Sequence, residues 1–211
     1  MARLIDIGLE RLSSMLLDMA TLSEKSVTTS IEAYALGRNV TQEILAWSDE
    51  LRFIQDEASE LAIDIIARYQ PVASDLRFIA AAMEISYGFS RFGRYAYDIA
   101  EVLEVFGDLS SCDHSAVELT AKTTKEMIRM SIDAFTNRDV ELAKNIPNLD
   151  DFVDEKYRSN LEQLVNDKTA DVKCAMASTL IMRYLERISD HSAYIGDAVI
   201  YIVTGKRVER K

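Results

Sequence analysis

One apolar seam runs from Ile181 to Ile202 through Leu185, Ile188, Ile195 and Val199, with Ser192 in its single gap. Spacings that alternate between four and three residues hold every one of these side chains on one stripe of a helix, for about six turns. A stripe of that length has to be covered by other helices. Glu186 and Asp190 sit beside it, one turn apart. Like charges at that spacing destabilise a helix by a few tenths of a kcal/mol, so something, most simply a cation, should neutralise them. The rest of the chain suits a helical partnership. Seven glycines and two prolines in 211 residues are too few for a turn-rich β protein, and the fold class this predicts is all-α.

Six long helices follow from periodicity and breakers. The first spans Ile5 to about Gly37, with Leu9, Leu12, Leu16 and Met19 on one face, and Gly37 and Asn39 can stop it. The second runs from about Thr41 to Tyr69. Pro71 disfavours helix at Gln70 and is suited to open the third, which ends near Gly107. Residues 108–113 form a short polar connection. The fourth covers about Ser115 to Asn137, the fifth about Val140 to Asn166 with Pro147 near its entry, and the sixth about Ala170 to Thr204. The charged tail Lys206–Lys211 should fray.

The pattern repeats within the chain. A shift of 96 positions lays Phe78, Ala82, Ile85, Phe89, Phe92, Ala96, Ile99, Leu103 and Phe106 on Cys174, Ser178, Ile181, Leu185, Ile188, Ser192, Ile195, Val199 and Ile202. Asp75 falls on Asp171, Arg77 on Lys173 and Arg91 on Arg187, while Ser30–Tyr34 matches Ser131–Phe135. Heptads match by chance, but the polar matches point to duplication. The expected architecture is two tandem, pseudo-symmetric three-helix bundles, 1–107 and 108–211, related by an internal twofold.

A formal charge of −11 argues against a nucleic-acid binder, which needs a basic face. Cys112 and Cys174 have no metal-like spacing and make no disulfide framework, so both read as small buried apolar residues. With no leader-like N-terminal segment and no unbroken apolar run of about 18 residues, the expectation is a soluble, cytoplasmic protein.

The fifth helix carries a second acidic pair, Asp150 and Asp154. If helices five and six are antiparallel neighbours, four carboxylates face each other. With no Cys or His among them, they form a hard oxygen site suited to Mg²⁺, Ca²⁺, Mn²⁺ or ferric iron. The plainer alternative is a solvated acidic face.

Glu186-Arg187-Ile188-Ser189-Asp190-His191 resembles the Glu-Arg-hydrophobic-Gly/Ser-Asp-His stretch in the last helix of PhoU proteins. Arg68-Tyr69-Gln70-Pro71-Val72-Ala73-Ser74-Asp75-Leu76-Arg77 resembles the Arg-x-Gln-Pro-x-Ala-x-Asp-Leu-Arg segment that opens their third helix. With the duplicated pattern, the resemblance covers nearly the whole chain. It implies a cytoplasmic, non-enzymatic regulator of phosphate uptake and phosphate signalling. Such proteins act with a phosphate ABC transporter ATPase or a phosphate-sensing kinase, usually as repressors when phosphate is plentiful. It also implies metal clusters on paired Glu/Asp-x-x-x-Asp motifs, one per repeat, with iron, zinc, manganese or magnesium as the candidate ions. Asp150, Asp154, Glu186 and Asp190 match the motif in the second repeat. The first repeat departs from it, with Ser48 and Arg52 on one helix and Ser90 and Arg94 on the other. Arginine repels a cation, so one metal site per chain is predicted. The two serines and two arginines could instead form an anion pocket, or the arginines could pair with Asp49 and Asp98.

His191 points about 100° away from Asp190 round the helix and suits hydrogen bonding or solvent better than ligation, and His114 gives no stronger signal. Tyr87, Tyr95, Tyr97, Tyr184, Tyr194 and Tyr201 read as packing residues with polar tips, and Trp47 is uninformative. No nucleophile–base pair or phosphate loop is visible. Two other classes remain at this level. A carboxylate-bridged di-metal oxidase would need Glu-x-x-His, which occurs nowhere in the chain. A metal-free helical scaffold is opposed only by the family resemblance. A homodimer stays open.

Overall fold

The structure is a computed structural model and describes residues 3–167 and 169–209. Six helices make up the fold: α1 (Leu4–Leu36), α2 (Thr41–Tyr69), α3 (Ala73–Phe106), α4 (Ser115–Asn137), α5 (Val140–Asn166) and α6 (Val172–Thr204). Among the described residues there is no strand.

The helix ends follow local chemistry. Gly37 closes α1 in the left-handed conformation (φ 63°), and its N–H reaches back to the carbonyls of Ala33 and Tyr34. Asn39 Oδ1 then accepts from the Thr41 N–H at 3.0 Å, which starts α2. Asp171 caps α6 by accepting from the Cys174 N–H, so α6 begins at Val172 and not at Ala170. Its counterpart Asp75 does no such thing. It lies inside α3 and takes the Arg3 guanidinium at 2.8 Å. Pro71 likewise does not open α3. Gln70 turns left-handed (φ 48°) to end α2, and α3 starts two residues beyond the proline, with Val72 extended before it. α5 continues through Pro147.

The seam is buried as its period requires: Ile181, Leu185, Ile188, Ser192, Ile195, Val199 and Ile202 all lie in the core. Full burial of each aliphatic side chain contributes about 1.5–3 kcal/mol. The Ser192 hydroxyl is satisfied by donating to the Ile188 carbonyl at 2.9 Å. On α1, Leu12, Leu16 and Met19 are fully buried, with Leu9 packed at the edge.

Within each repeat the helices pack on one another, and the two repeats meet through α1 on α4 and α3 on α6. Both are contacts between equivalent helices, which is what an internal twofold demands. α3 and α6 are antiparallel, since Arg77 lies by Gly205 and Gly88 by Ile195, while the rings of Tyr95 and Tyr184 stack at 6.4 Å. Tyr95 and His191, equivalent under the 96-residue shift, meet at 5.9 Å on the axis.

Cys112 and Cys174 are not two separate buried thiols. They are bonded to each other, with Cα atoms 5.5 Å apart across 62 residues of sequence. The bond ties the α3–α4 connection to the first turn of α6. Nearby, Leu109 is buried, and its carbonyl lies 2.9 Å from His114 Nε2, whose ring stacks on Tyr34 at 4.6 Å. The connection is therefore anchored at several points. The tail also departs from expectation as far as it is described. Arg207 folds back over Tyr201 and reaches Glu84. Arg210 and Lys211 lie outside the described residues.

Candidate functional site

The α5–α6 crossing sets the register of the acidic pairs. Gly196 lets α5 approach closely, because a Cβ there would stand 3.2 Å from the Ala143 carbonyl oxygen and 3.1 Å from Ile146 Cδ1. Further along the antiparallel pair, Ser189 donates to Asp150 Oδ1 at 2.6 Å. Next along, Asp154 lies close enough to Glu186 to raise its pKa. All four predicted carboxylates thus lie along one crossing.

Glu186 is the most constrained of them. Its side chain is 12% exposed, Oε1 accepts from Arg183 at 2.7 Å, and Arg187 Nε stands 3.6 Å from Oε2. That second contact is too long for a hydrogen bond, and Oε2 is buried without a hydrogen-bond partner. Burial first, then the Asp190 charge, pushes the Glu186 carboxyl above its ordinary pKa, and the two arginines only partly oppose this. Arg187 also approaches Asp190 at 3.6 Å.

The neutralising charge inferred from the sequence is therefore supplied, in part, from within the helix. Arg183 and Arg187 each stand three residues before an acid, a spacing visible in the sequence from the start. In kind, these donors suit a hard cation, and an orphaned carboxylate oxygen is a vacancy in the hydrogen bonding that a cation could fill. As the side chains stand, no three Asp, Glu, His or Cys groups among the described residues are arranged to hold a metal ion.

The first-repeat set lies at the equivalent crossing of α2 and α3. Gly93 gives the close approach, with Ser48 Cα 3.4 Å from where its Cβ would be. Ser90 is buried. Arg94 pairs with Asp98 at 2.9 Å and lies over the Tyr97 ring, and Arg52 pairs with Asp49 at 3.5 Å. Both guanidiniums thus turn to acids on their own helices, the alternative to the anion pocket. Asp98 is nevertheless held above the ordinary carboxylate range, because burial outweighs Arg94.

His191 points away from the carboxylates into a cage of Tyr87, Tyr95 and Tyr194 rings at 5.7–5.9 Å. Burial, helped by Arg91 and Arg187, lowers its pKa to about 4, so the ring is neutral at pH 7. The tyrosines read as packing residues are divided in role. Tyr95 and Tyr184 pack on each other, whereas Tyr87, Tyr194 and Tyr201 line an open cleft of about 650 Å³ between α3 and α6. The sequence showed these rings but not the cleft, which exists only once α3 and α6 cross.

Comparison with known proteins places these features in a family. A family model, the PhoU domain, matches residues 16–103 and again residues 117–199, once in each repeat. The phosphate-specific transport system accessory protein PhoU homolog of Clostridium acetobutylicum is 30% identical over 213 aligned positions, 98% of this chain and 97% of that protein. Its counterpart in Pseudomonas aeruginosa is 30% identical, over 95% of this chain and 85% of that protein. The crystal structure of PhoU from Pseudomonas aeruginosa superposes with a TM-score of 0.87 at 29% identity, covering 95% of this chain and 99% of that one. The phosphate transport system regulatory protein PhoU from Streptococcus pneumoniae shares the fold at a TM-score of 0.89 and 20% identity, over 98% of this chain and 100% of that one.

Proposed function

The chain belongs to the PhoU family, and we propose that it regulates phosphate uptake and phosphate-dependent signalling by binding a phosphate ABC transporter ATPase, a phosphate sensor kinase, or both. The observation that carries this reading is the double match of the family domain, one per repeat, together with relatives matched over almost their whole length and named as accessory proteins of phosphate transport. The proposed role is regulatory and not catalytic. No helix among the described residues is long and apolar enough to cross a membrane, and the proposed place of action is the cytoplasmic face, through partners.

The proposed metal site is Asp150, Asp154, Glu186 and Asp190, in the second repeat only. The facing register of α5 and α6 and the orphaned Oε2 of Glu186 support it. The ion would replace Arg183 and Arg187 as the neutralising charge, with both guanidiniums swinging into solvent. Arginines at positions 52 and 94 argue against a second ion in the first repeat.

Two measurements test this function. Tagged chain should co-purify with the transporter ATPase or the sensor kinase from its own cells, and recovery of neither would overturn the partnership. Elemental analysis, on protein purified without added metal and again after adding back iron, manganese, zinc or magnesium, should find metal. That metal should be absent from an Asp154→Asn, Glu186→Gln double variant. Metal in neither protein would remove the ion from the account while leaving the partnership to its own test.

A further inference from the structure

The cleft between α3 and α6 is not part of the duplicated pattern. Under the 96-residue shift, its residues Glu84, Gly88 and Tyr201 correspond to Leu180, Tyr184 and Val105. At the other end of the twofold the Tyr184 ring packs on Tyr95, whereas at this end the position equivalent to Tyr184 is Gly88. The open volume is therefore a property of one end of the molecule. Its size, about 650 Å³, is that of a ligand site.

The walls are aromatic, and apart from Arg207 itself the charged groups are acids. Tyr87, Tyr194 and Tyr201 line the cleft with His191, Glu84 and Asp197 stand among them, and Arg207 and Val208 close it on the tail side. Ring faces carry negative potential, so rings and carboxylates together select an organic cation. The chain itself supplies an example. Arg207, three residues past the end of α6, places its guanidinium carbon 4.8 Å from the Tyr201 ring centre and Nη1 3.3 Å from Glu84 Oε1. That attachment is light. The Arg207 side chain is 66% exposed and Glu84 51%, and a surface ion pair of this kind is weak.

We propose that this cleft is a recognition site for an arginine side chain presented by a peptide segment of a partner protein, with Arg207 as the built-in occupant that the partner displaces. Arginine fits better than lysine, because its planar fork can stack on Tyr201 and bond Glu84 at once. The tail keeps Arg207 at high effective concentration, so an incoming arginine meets competition until the tail is drawn away.

The test uses the full-length chain and an acetylated, amidated peptide with the sequence of residues 205–209, followed by NMR titration into the millimolar range. The Arg207→Ala chain should bind this peptide about tenfold more tightly than the parent, whose own tail competes. Adding Glu84→Gln or Tyr201→Leu to Arg207→Ala should weaken binding about tenfold. Glu84 is at the surface, so that variant reports on the cleft even if Tyr201→Leu unfolds. A peptide with norleucine in place of arginine should bind at least tenfold more weakly. Equal binding of the norleucine peptide would overturn the proposal, since the cleft would then be an apolar groove. Absence of binding to the Arg207→Ala chain would overturn it outright. Free arginine binding as tightly as the peptide would replace a protein partner by a small molecule and overturn it in that form.

Discussion

Removing the Cys112–Cys174 bond should be the most informative single perturbation of the fold. The bond closes 62 residues of chain, from the α3–α4 connection to the first turn of α6, and so encloses α4 and α5 completely. Loop-closure entropy for a loop of that length stabilises the folded state by roughly 4 kcal/mol, as an upper figure for an unstructured reference state. For a protein of this size 1 kcal/mol corresponds to about 2–4 °C in Tm, so Cys112→Ala should lower the oxidised protein's Tm by about 8–16 °C. The assay is thermal unfolding of parent and variant, each with and without a dithiol reductant. The reductant should lower the parent to near the variant and leave the variant unmoved. Equal midpoints for the two oxidised proteins would refute the argument, as would two free thiols in parent denatured without reductant. The bond also bears on location. Reducing compartments keep such pairs as thiols, so if the chain works on the cytoplasmic face the pair should be trapped there as thiols and form the bond only on oxidation.

Three further substitutions test separate parts of the structure. Gln70 ends α2 in the left-handed region at φ 48°, so Gln70→Gly should stabilise by about 1 kcal/mol in urea unfolding, and a loss of stability would contradict the assignment. Gly196→Ala drives a methyl group toward the Ala143 carbonyl, which is backbone and cannot turn aside, and should cost about 1–3 kcal/mol. Glu186 has its carboxyl pKa raised in the fold, so the folded state binds the extra proton, and stability falls as pH rises from the unfolded pKa through the folded one. Metal-free Glu186→Gln should therefore unfold later than the parent at pH 7, and the advantage should disappear below pH 4.5. A gap between the two that does not change with pH would show that the fold does not raise the Glu186 carboxyl above its ordinary pKa.

What could be read in advance was whatever repeats along one helix. The seam from Ile181 to Ile202 defined α6, and its image 96 positions earlier defined α3 and the twofold. That the acidic pairs face each other was expected if α5 and α6 ran antiparallel, but the register that sets Asp150 against Ser189 comes from the crossing at Gly196. What escaped were contacts that depend on how helices cross. The cysteine pair lies 62 residues apart with no local signature. The cleft forms where α3 and α6 cross, and Gly88, where a Cβ would stand 3.0 Å from Ile195, lets α6 pack closely beside it. Arg207 folds back onto a ring and a carboxylate from two different helices, a pairing no local spacing encodes. The arginines beside Glu186 are a different case. Their three-residue spacing was legible, and they supply part of the neutralising charge that the acidic pair calls for.

The claim that matters most is regulation of phosphate uptake, and radiolabelled phosphate accumulation in cells lacking this chain tests it directly. In phosphate-rich medium, uptake should stay high without the chain and return to the repressed level when the parent is restored. Uptake that is unchanged by its loss, in rich and in poor medium alike, would contradict it.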